Sequence, residues 1–188
     1  MDSETMIRFI YLGNLLIEKG PLVLLEACRI LKERDISFSC DIVGAPTAEI
    51  TMEYMRAKIQ EYGLADCVLL RGAQYGQDKE QLLNQADVMV FPTFYHNECF
   101  PLVLLEGMKH SLAIISTAEG AIPDIVADGE TGLLTKKQNP VSLAAAMEQL
   151  ISSPGTISRL ASAAHQLYNE RFSEAQFISR MLDILRNA

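Results

Sequence analysis

Apolar residues along the chain follow two periods, and the two alternate. Arg8 to Leu12 is a short β-rich run closed by Gly13, and Phe38, Cys40 and Ile42 alternate with Ser39 and Asp41 ahead of Val43 and Gly44. Each run predicts a strand. Between them, from Pro21 to Arg34, Leu24, Ala27, Cys28 and Leu31 recur at helical spacing with Glu26, Arg29 and Glu33 opposite. That spacing predicts an amphipathic helix opened by a proline.

The alternation continues with a helix over Glu49 to Tyr62 ending at Gly63, a strand from Val68 to Leu70 closed by Arg71-Gly72, a helix over Asp78 to Gln85, and a strand from Val88 to Phe91. A helix from Pro101 through Met108 follows, then strands at Leu112 to Ser116 and Gly132 to Thr135. Three helices finish the chain: Asn139-Pro140 caps the first, Ser153-Pro154 the second, and Ser173 with Gln176 forms a capping box for the third. Continuous apolar strands alternating with helices specify a parallel sheet with right-handed crossovers and helices on both faces. The expected architecture is a Rossmann-like three-layer α/β/α domain with about six strands, spanning 1–188 as a single domain. Ligands of such sheets sit outside the carboxyl ends of the strands, where the loops after Leu12, Val43, Leu70 and Phe91 all open.

Charge and composition narrow the chemistry. A net charge of −8, from 16 basic and 24 acidic residues without long blocks of either sign, excludes a nucleic-acid grip through a basic face. Cys28, Cys40, Cys67 and Cys99 show no C-x-x-C spacing and read as reduced thiols of a cytosolic protein. His96, His110 and His165 lack ligand spacing, so no metal site is expected. Apolar runs of about six residues fall short of the roughly 20 needed to cross a bilayer, and the N-terminus has no signal-peptide pattern. The protein is expected to be soluble and cytoplasmic.

Candidate chemistry centres on Asn97 to Met108. Glu98 and Glu106 stand on either side of a helix start at Pro101, placed as the first helical residue, and from Leu102 to Met108 only Glu106 is polar. The helix therefore reads as buried on all sides, and an ionised carboxylate there needs a specific partner. Backbone N–H groups of a neighbouring loop are one such partner. The helix N-terminus, through the N–H groups of Leu102 and Val103, is a candidate anion site. Gly13-Asn14, followed by Lys19-Gly20, frames a loop with one cation after the first strand. Its spacing matches neither common phosphate loop. His96 is a second-rank candidate for a general base, and Glu119 to Asp124 forms another glycine-bearing loop at the same edge.

The residues Glu98-Cys99-Phe100-Pro101-Leu102-Val103-Leu104-Leu105-Glu106 reproduce an E-x7-E motif, accompanied by Asp41 to Gly44, Ala86 to Pro92 and Asp124 to Gly132. In these motifs, and from Phe9 to Leu185, the chain resembles the donor-binding C-terminal half of a retaining GT-B glycosyltransferase of family GT4. That resemblance implies a hexosyltransferase-type enzyme that takes a nucleotide-diphosphate sugar. In it, Lys19 would hold the diphosphate together with Gly13, Asn14 and the Leu102 and Val103 N–H groups. Glu106 would accept the ribose hydroxyls, and Glu98, beside Phe100 and Pro101, would face the transferred sugar. Catalytic roles are thus implied for Glu98 and Lys19. Base contacts would fall on backbone near Gly44 and Gly72. Members of this fold usually need no metal, so no cofactor is expected.

The chain departs from the family pattern in three places: Asn14 stands where Arg is common, Asp124 replaces a commoner Glu, and Lys109-His110-Ser111 stands near where a small residue and Gly are usual. Family members also have two halves, with the acceptor on the N-terminal one. This chain is expected to lack that half, whether by truncation or as an isolated domain, and to transfer little alone. Part of the apolar stripe Phe177, Met181, Ile184 and Leu185 would have been shaped for the other half. Peripheral membrane contact belongs to the full-length enzyme. Two other functions compete with this reading: a non-catalytic nucleotide-binding or regulatory module, which would not need Glu98, and a GT-B sugar-nucleotide epimerase, carried by fold analogy alone.

Overall fold

Residues 6–186 are described by the structure, a computed structural model. In chain order the elements are β1 (Arg8–Leu12), a 3-10 turn (Ile17–Lys19), α1 (Pro21–Glu33), β2 (Ser39–Val43), α2 (Met52–Glu61), β3 (Val68–Gly72), α3 (Gly76–Gln85), β4 (Val88–Val90) and α4 (Leu102–Lys109). Then come β5 (Ala113–Thr117), α5 (Ile122–Ile125), β6 (Leu133–Thr135), α6 (Pro140–Ile151), α7 (Pro154–Leu167), a π-type turn (Tyr168–Phe172) and α8 (Glu174–Arg186). The strands form one six-stranded sheet in the order β3-β2-β1-β4-β5-β6, every pairing parallel. This is the Rossmann-like architecture expected from the alternation.

The central strands are mostly apolar because both their faces are covered. All five residues of β5 are buried, as are Phe9 to Leu12 of β1 and Cys40 to Val43 of β2. The one charged side chain among these, Asp41, is satisfied by Arg71 Nε of the neighbouring strand at 2.6 Å. On α1 the predicted stripe is the buried face, Leu24, Ala27, Cys28 and Leu31, and this helix packs against α6. Helix α7 lies against β5 and α4. Register aligns Phe9 with Cys40 on one side and with Val88 on the other.

Several local expectations shift. Helix α2 starts at Met52 and not at Glu49, because Thr51 is its cap and accepts from the Tyr54 N–H at 3.1 Å. Asn139 caps α6 as expected, accepting from Ser142 N–H at 2.9 Å. Ser153 makes no cap bond to α7; its hydroxyl meets the Thr156 hydroxyl at 3.0 Å. Pro101 is not the first helical residue: with φ −74° and ψ 103° it is the extended N-cap of α4. Nor is α4 buried all round, since Leu102 is 65 % exposed and only Leu104, Gly107 and Met108 are buried. The segment Ile122–Ile125, expected as loop, is a single helical turn. On α8, Phe177, Ile184 and Leu185 stay 63 to 69 % exposed. No helix among the described residues is long and apolar enough to cross a membrane.

Candidate functional site

Strand order reverses between β1 and β4, the neighbour on its other side, so their exit loops run apart and leave a crevice at the carboxyl edge. The floor of the crevice is a contact between two loops. Gly13 N–H donates to Val43 O at 3.0 Å, Leu15 N–H to Ala45 O at 2.8 Å, and Gly44 N–H to Gly72 O at 2.9 Å. The loops are so close that a Cβ on Gly44 would stand 1.8 Å from Gly13 O, which only glycine permits. Above this floor lies a cleft of about 170 Å³.

Of the residues singled out in the sequence, Gly13, Asn14, Gly44, Val103 and Glu106 line that cleft together. They come from the β1 and β2 exit loops and from the first two turns of α4, more than 90 residues apart at the extremes. Gly72 does not line it, and its carbonyl is taken by Gly44. Residues that the sequence did not single out complete the wall: Ala73, Gln74, Tyr75 and Lys79, from the β3 exit loop and α3. Lys79 is the partner of Glu106. Its Nζ stands 3.0 Å from each carboxylate oxygen, so a side chain and not loop N–H groups satisfies that charge.

A second set lies alongside, around Glu98. This carboxylate is 7 % exposed and forms an ion pair with Lys19 of the β1–α1 connection. The Lys19 ammonium also stands 4.9 Å from the Tyr95 ring centroid and 5.4 Å from that of Phe91, two faces that attract a cation. The Thr93 hydroxyl, fully buried, is 3.3 Å from Glu98 Oε2 and 3.2 Å from Glu18 O. Beneath the pair, Tyr11 donates to Asn14 O at 3.1 Å, and burial, reinforced by the Glu98 charge, holds its phenol protonated far above the ordinary range. The backbone of Glu98 is clamped too. Its N–H donates to Tyr95 O at 2.8 Å, and Gly120, at φ +51°, comes so close that a Cβ there would meet Glu98 O at 1.6 Å. The Glu119 to Asp124 loop therefore acts as a backstop for Glu98.

The remaining candidates fall elsewhere. Phe100 stacks edge-on with Phe172, ring centroids 6.0 Å apart, and Leu102 faces the groove between α4 and α8. Pro101 is buried at the head of α4. His96 is a loop residue, 73 % exposed at its side chain and 3.7 Å from Glu18. All four cysteines are free, three buried and Cys99 exposed. Among the described residues no group of His, Cys, Asp or Glu is arranged to hold a metal ion.

A doubly wound parallel sheet with its crevice at the switch point, a close-approach glycine floor and the first turns of a helix beside it defines an α/β domain that places its ligand site at the carboxyl edge. The chain belongs to the glycosyl transferases group 1 family, whose sequence model matches residues 3–167. It is 31% identical over 157 residues to a D-inositol 3-phosphate glycosyltransferase of Corynebacterium diphtheriae, covering 82% of this chain and 36% of that protein. Over 181 residues it is 27% identical to a putative colanic acid biosynthesis glycosyltransferase of Salmonella typhimurium, covering 94% and 44% respectively. The chain thus spans less than half the length of these two curated relatives. In fold it resembles Anabaena HepE solved in complex with UDP, with a TM-score of 0.86 at 19% identity, covering 97% of this chain and 49% of that one. The solved C-terminal domain of a glycosyl transferase group 1 family protein from Francisella tularensis also matches, with a TM-score of 0.77 at 22% identity and 89% and 87% coverage.

Proposed function

We propose that this chain is the donor-binding half of a two-domain glycosyltransferase, which takes a nucleotide-diphosphate sugar and transfers its sugar with retention of configuration. One observation carries the reading: the Glu106 cleft and the Lys19–Glu98 pair, the two halves of the E-x7-E pattern, lie at the same sheet edge on either side of the α4 start. The nucleoside occupies the cleft, with the ribose hydroxyls on Glu106 and the base along the backbone of the β2 and β3 exit loops. The diphosphate lies at the N-terminus of α4, against Gly13, Asn14 and Lys19. Glu98 faces the sugar. That HepE of Anabaena binds UDP supports a nucleoside diphosphate as the ligand.

The chemistry follows from where charge grows. As the glycosidic bond breaks, the departing nucleoside diphosphate gains negative charge, and a lysine and a helix dipole aimed at it stabilise the transition state more than the ground state. No metal enters this reading. Lys19 is held by Glu98 before the donor arrives, so its ammonium is shared or handed over as the diphosphate enters. The acceptor sits on a second domain, and the exposed α8 stripe is a surface for that domain. This chain alone transfers little or nothing. The four free thiols fit a cytosolic setting.

The test titrates the 188-residue chain with UDP, GDP and ADP in parallel, then compares the two-domain parent with its Glu98→Ala variant. One nucleotide is expected to bind, and the variant is expected to lose transfer by roughly a hundredfold or more while keeping nucleotide affinity. Equal loss of both would favour a plain nucleotide-binding module. Robust transfer by the 188-residue chain alone would remove the two-domain reading.

A further inference from the structure

Two ties join α3 to α4 beside the cleft. In the first, Lys79 Nζ is 3.0 Å from both oxygens of Glu106. In the second, one turn further along α4, the His110 ring is held between Glu80 Oε2 at 2.8 Å from Nε2 and Asn84 Oδ1 at 2.8 Å from Nδ1. Glu80 and Asn84 are four residues apart on α3, as are Glu106 and His110 at the end of α4, so the ties run between facing stripes. Leu83, fully buried and four residues beyond Lys79, turns that side of α3 inward. Together these contacts fix the rotation of both helices. They leave Lys79 and Glu106 as the charged groups of a cleft whose other lining side chains are uncharged.

We propose that Lys79 is a positioning residue: it holds the Glu106 carboxylate in the orientation that accepts the ribose 2′- and 3′-hydroxyls of the donor. The proposal rests on the donor-site reading above. A carboxylate offers about four lone-pair positions, and one ammonium bonded to both oxygens uses one on each. One acceptor position per oxygen is left, which suits a vicinal diol. Bonded to both oxygens, the ammonium fixes the carboxylate's plane before ligand arrives. Without it the Glu106 head, 36 % exposed, is free to sample other rotamers, and binding has to supply the ordering. An ion pair that merely ties two helices together would have no bearing on which sugar the cleft prefers.

The experiment uses that distinction. Calorimetric titration of the 188-residue chain, with whichever of UDP, GDP and ADP it binds and with the 2′-deoxy form of that nucleotide, gives a ribose preference. The unchanged chain is expected to prefer the ribonucleotide by roughly tenfold. Lys79→Met is expected to weaken the ribonucleotide roughly tenfold and the deoxynucleotide hardly at all, collapsing the preference, while Lys79→Arg retains most of it. Glu106→Gln, which keeps side-chain volume, is expected to erase the preference as well. A Lys79→Met chain that keeps the preference overturns the proposal, and so does equal weakening of both ligands. If the unchanged chain binds none of the three nucleotides, the donor-site reading falls and this proposal with it, a failure visible before any variant is made.

Discussion

Gly44→Ala tests the floor of the cleft. The added Cβ would stand 1.8 Å from Gly13 O, a backbone atom that no rotamer change can move aside. Contacts of this kind are not found below 3.0 Å, so the β1 and β2 exit loops must part by more than about 1 Å. Two hydrogen bonds flank that contact, Gly13 N–H to Val43 O at 3.0 Å and Leu15 N–H to Ala45 O at 2.8 Å, and a shift of this size breaks or bends both. Overpacking plus two weakened bonds costs about 2 to 5 kcal/mol. For a domain of this length the melting temperature falls by roughly 5 to 15 °C. Gly63→Ala is the control. Gly63 has φ +66° with nothing within 4 Å of its absent Cβ, so only backbone strain is added, about 1 kcal/mol or a few degrees. Thermal unfolding followed by circular dichroism compares the two. Because Gly13 and Asn14 ride on the displaced loop, nucleotide titration should also weaken for Gly44→Ala and not for Gly63→Ala. Equal melting temperatures for the two variants would refute the argument from close approach.

Two further outcomes follow from the burial pattern. Lys19→Met strands the Glu98 carboxylate, 8 % exposed at its side chain, without its cation and is expected to lower the unfolding free energy from urea titration by about 3 kcal/mol, more than Glu98→Gln does. Glu98→Gln leaves a lysine that still faces the Phe91 and Tyr95 rings; the reverse order of the two variants would sink the reading. Thiol titration of the native chain at pH 8 should find Cys99 alone and all four cysteines after unfolding, since Cys28, Cys40 and Cys67 are buried and burial pushes the Cys67 thiol up to about 11. Fast labelling of Cys67 in the folded chain would contradict this.

The sheet was legible because its signal is local and repeated. Each strand carries its own apolar run, and the few polar residues in β2 and β5, Asp41 among them, are too scattered to hide it. Gly13, Asn14, Gly44 and Glu106 were legible for a different reason: each stands at the carboxyl end of a predicted strand or in the first turns of the helix that follows one. The misreadings have physical causes too. A proline at a helix start fits both the first helical position and an extended cap, and only ψ separates them; at Pro101 ψ is 103°. The run from Leu102 to Leu105 looks fully apolar, yet half of it faces a groove toward α8 that no local pattern announces. Lys79 was invisible for the strongest reason. It sits on a polar helix whose one fully buried residue is Leu83, and its meaning comes from Glu106, 27 residues away and on another element. The burial of Glu98 was not legible either, because it depends on Lys19 from the first loop and Gly120 from a later one.

The strand order has a consequence for synthesis. β1 emerges from the ribosome before the other strands of this sheet, yet it ends up at the middle, between β2 and β4. Its first edge can close when Cys40 arrives, but its second must wait for Val88. At translation rates of about 5 to 20 residues per second, Phe9 to Leu12 spend several seconds as an apolar strand with one open side. During that interval the nascent chain offers an edge that another strand could claim. Both the Glu106 cleft and the Lys19–Glu98 pair need residues on either side of that late closure, so neither exists until β4 has joined β1.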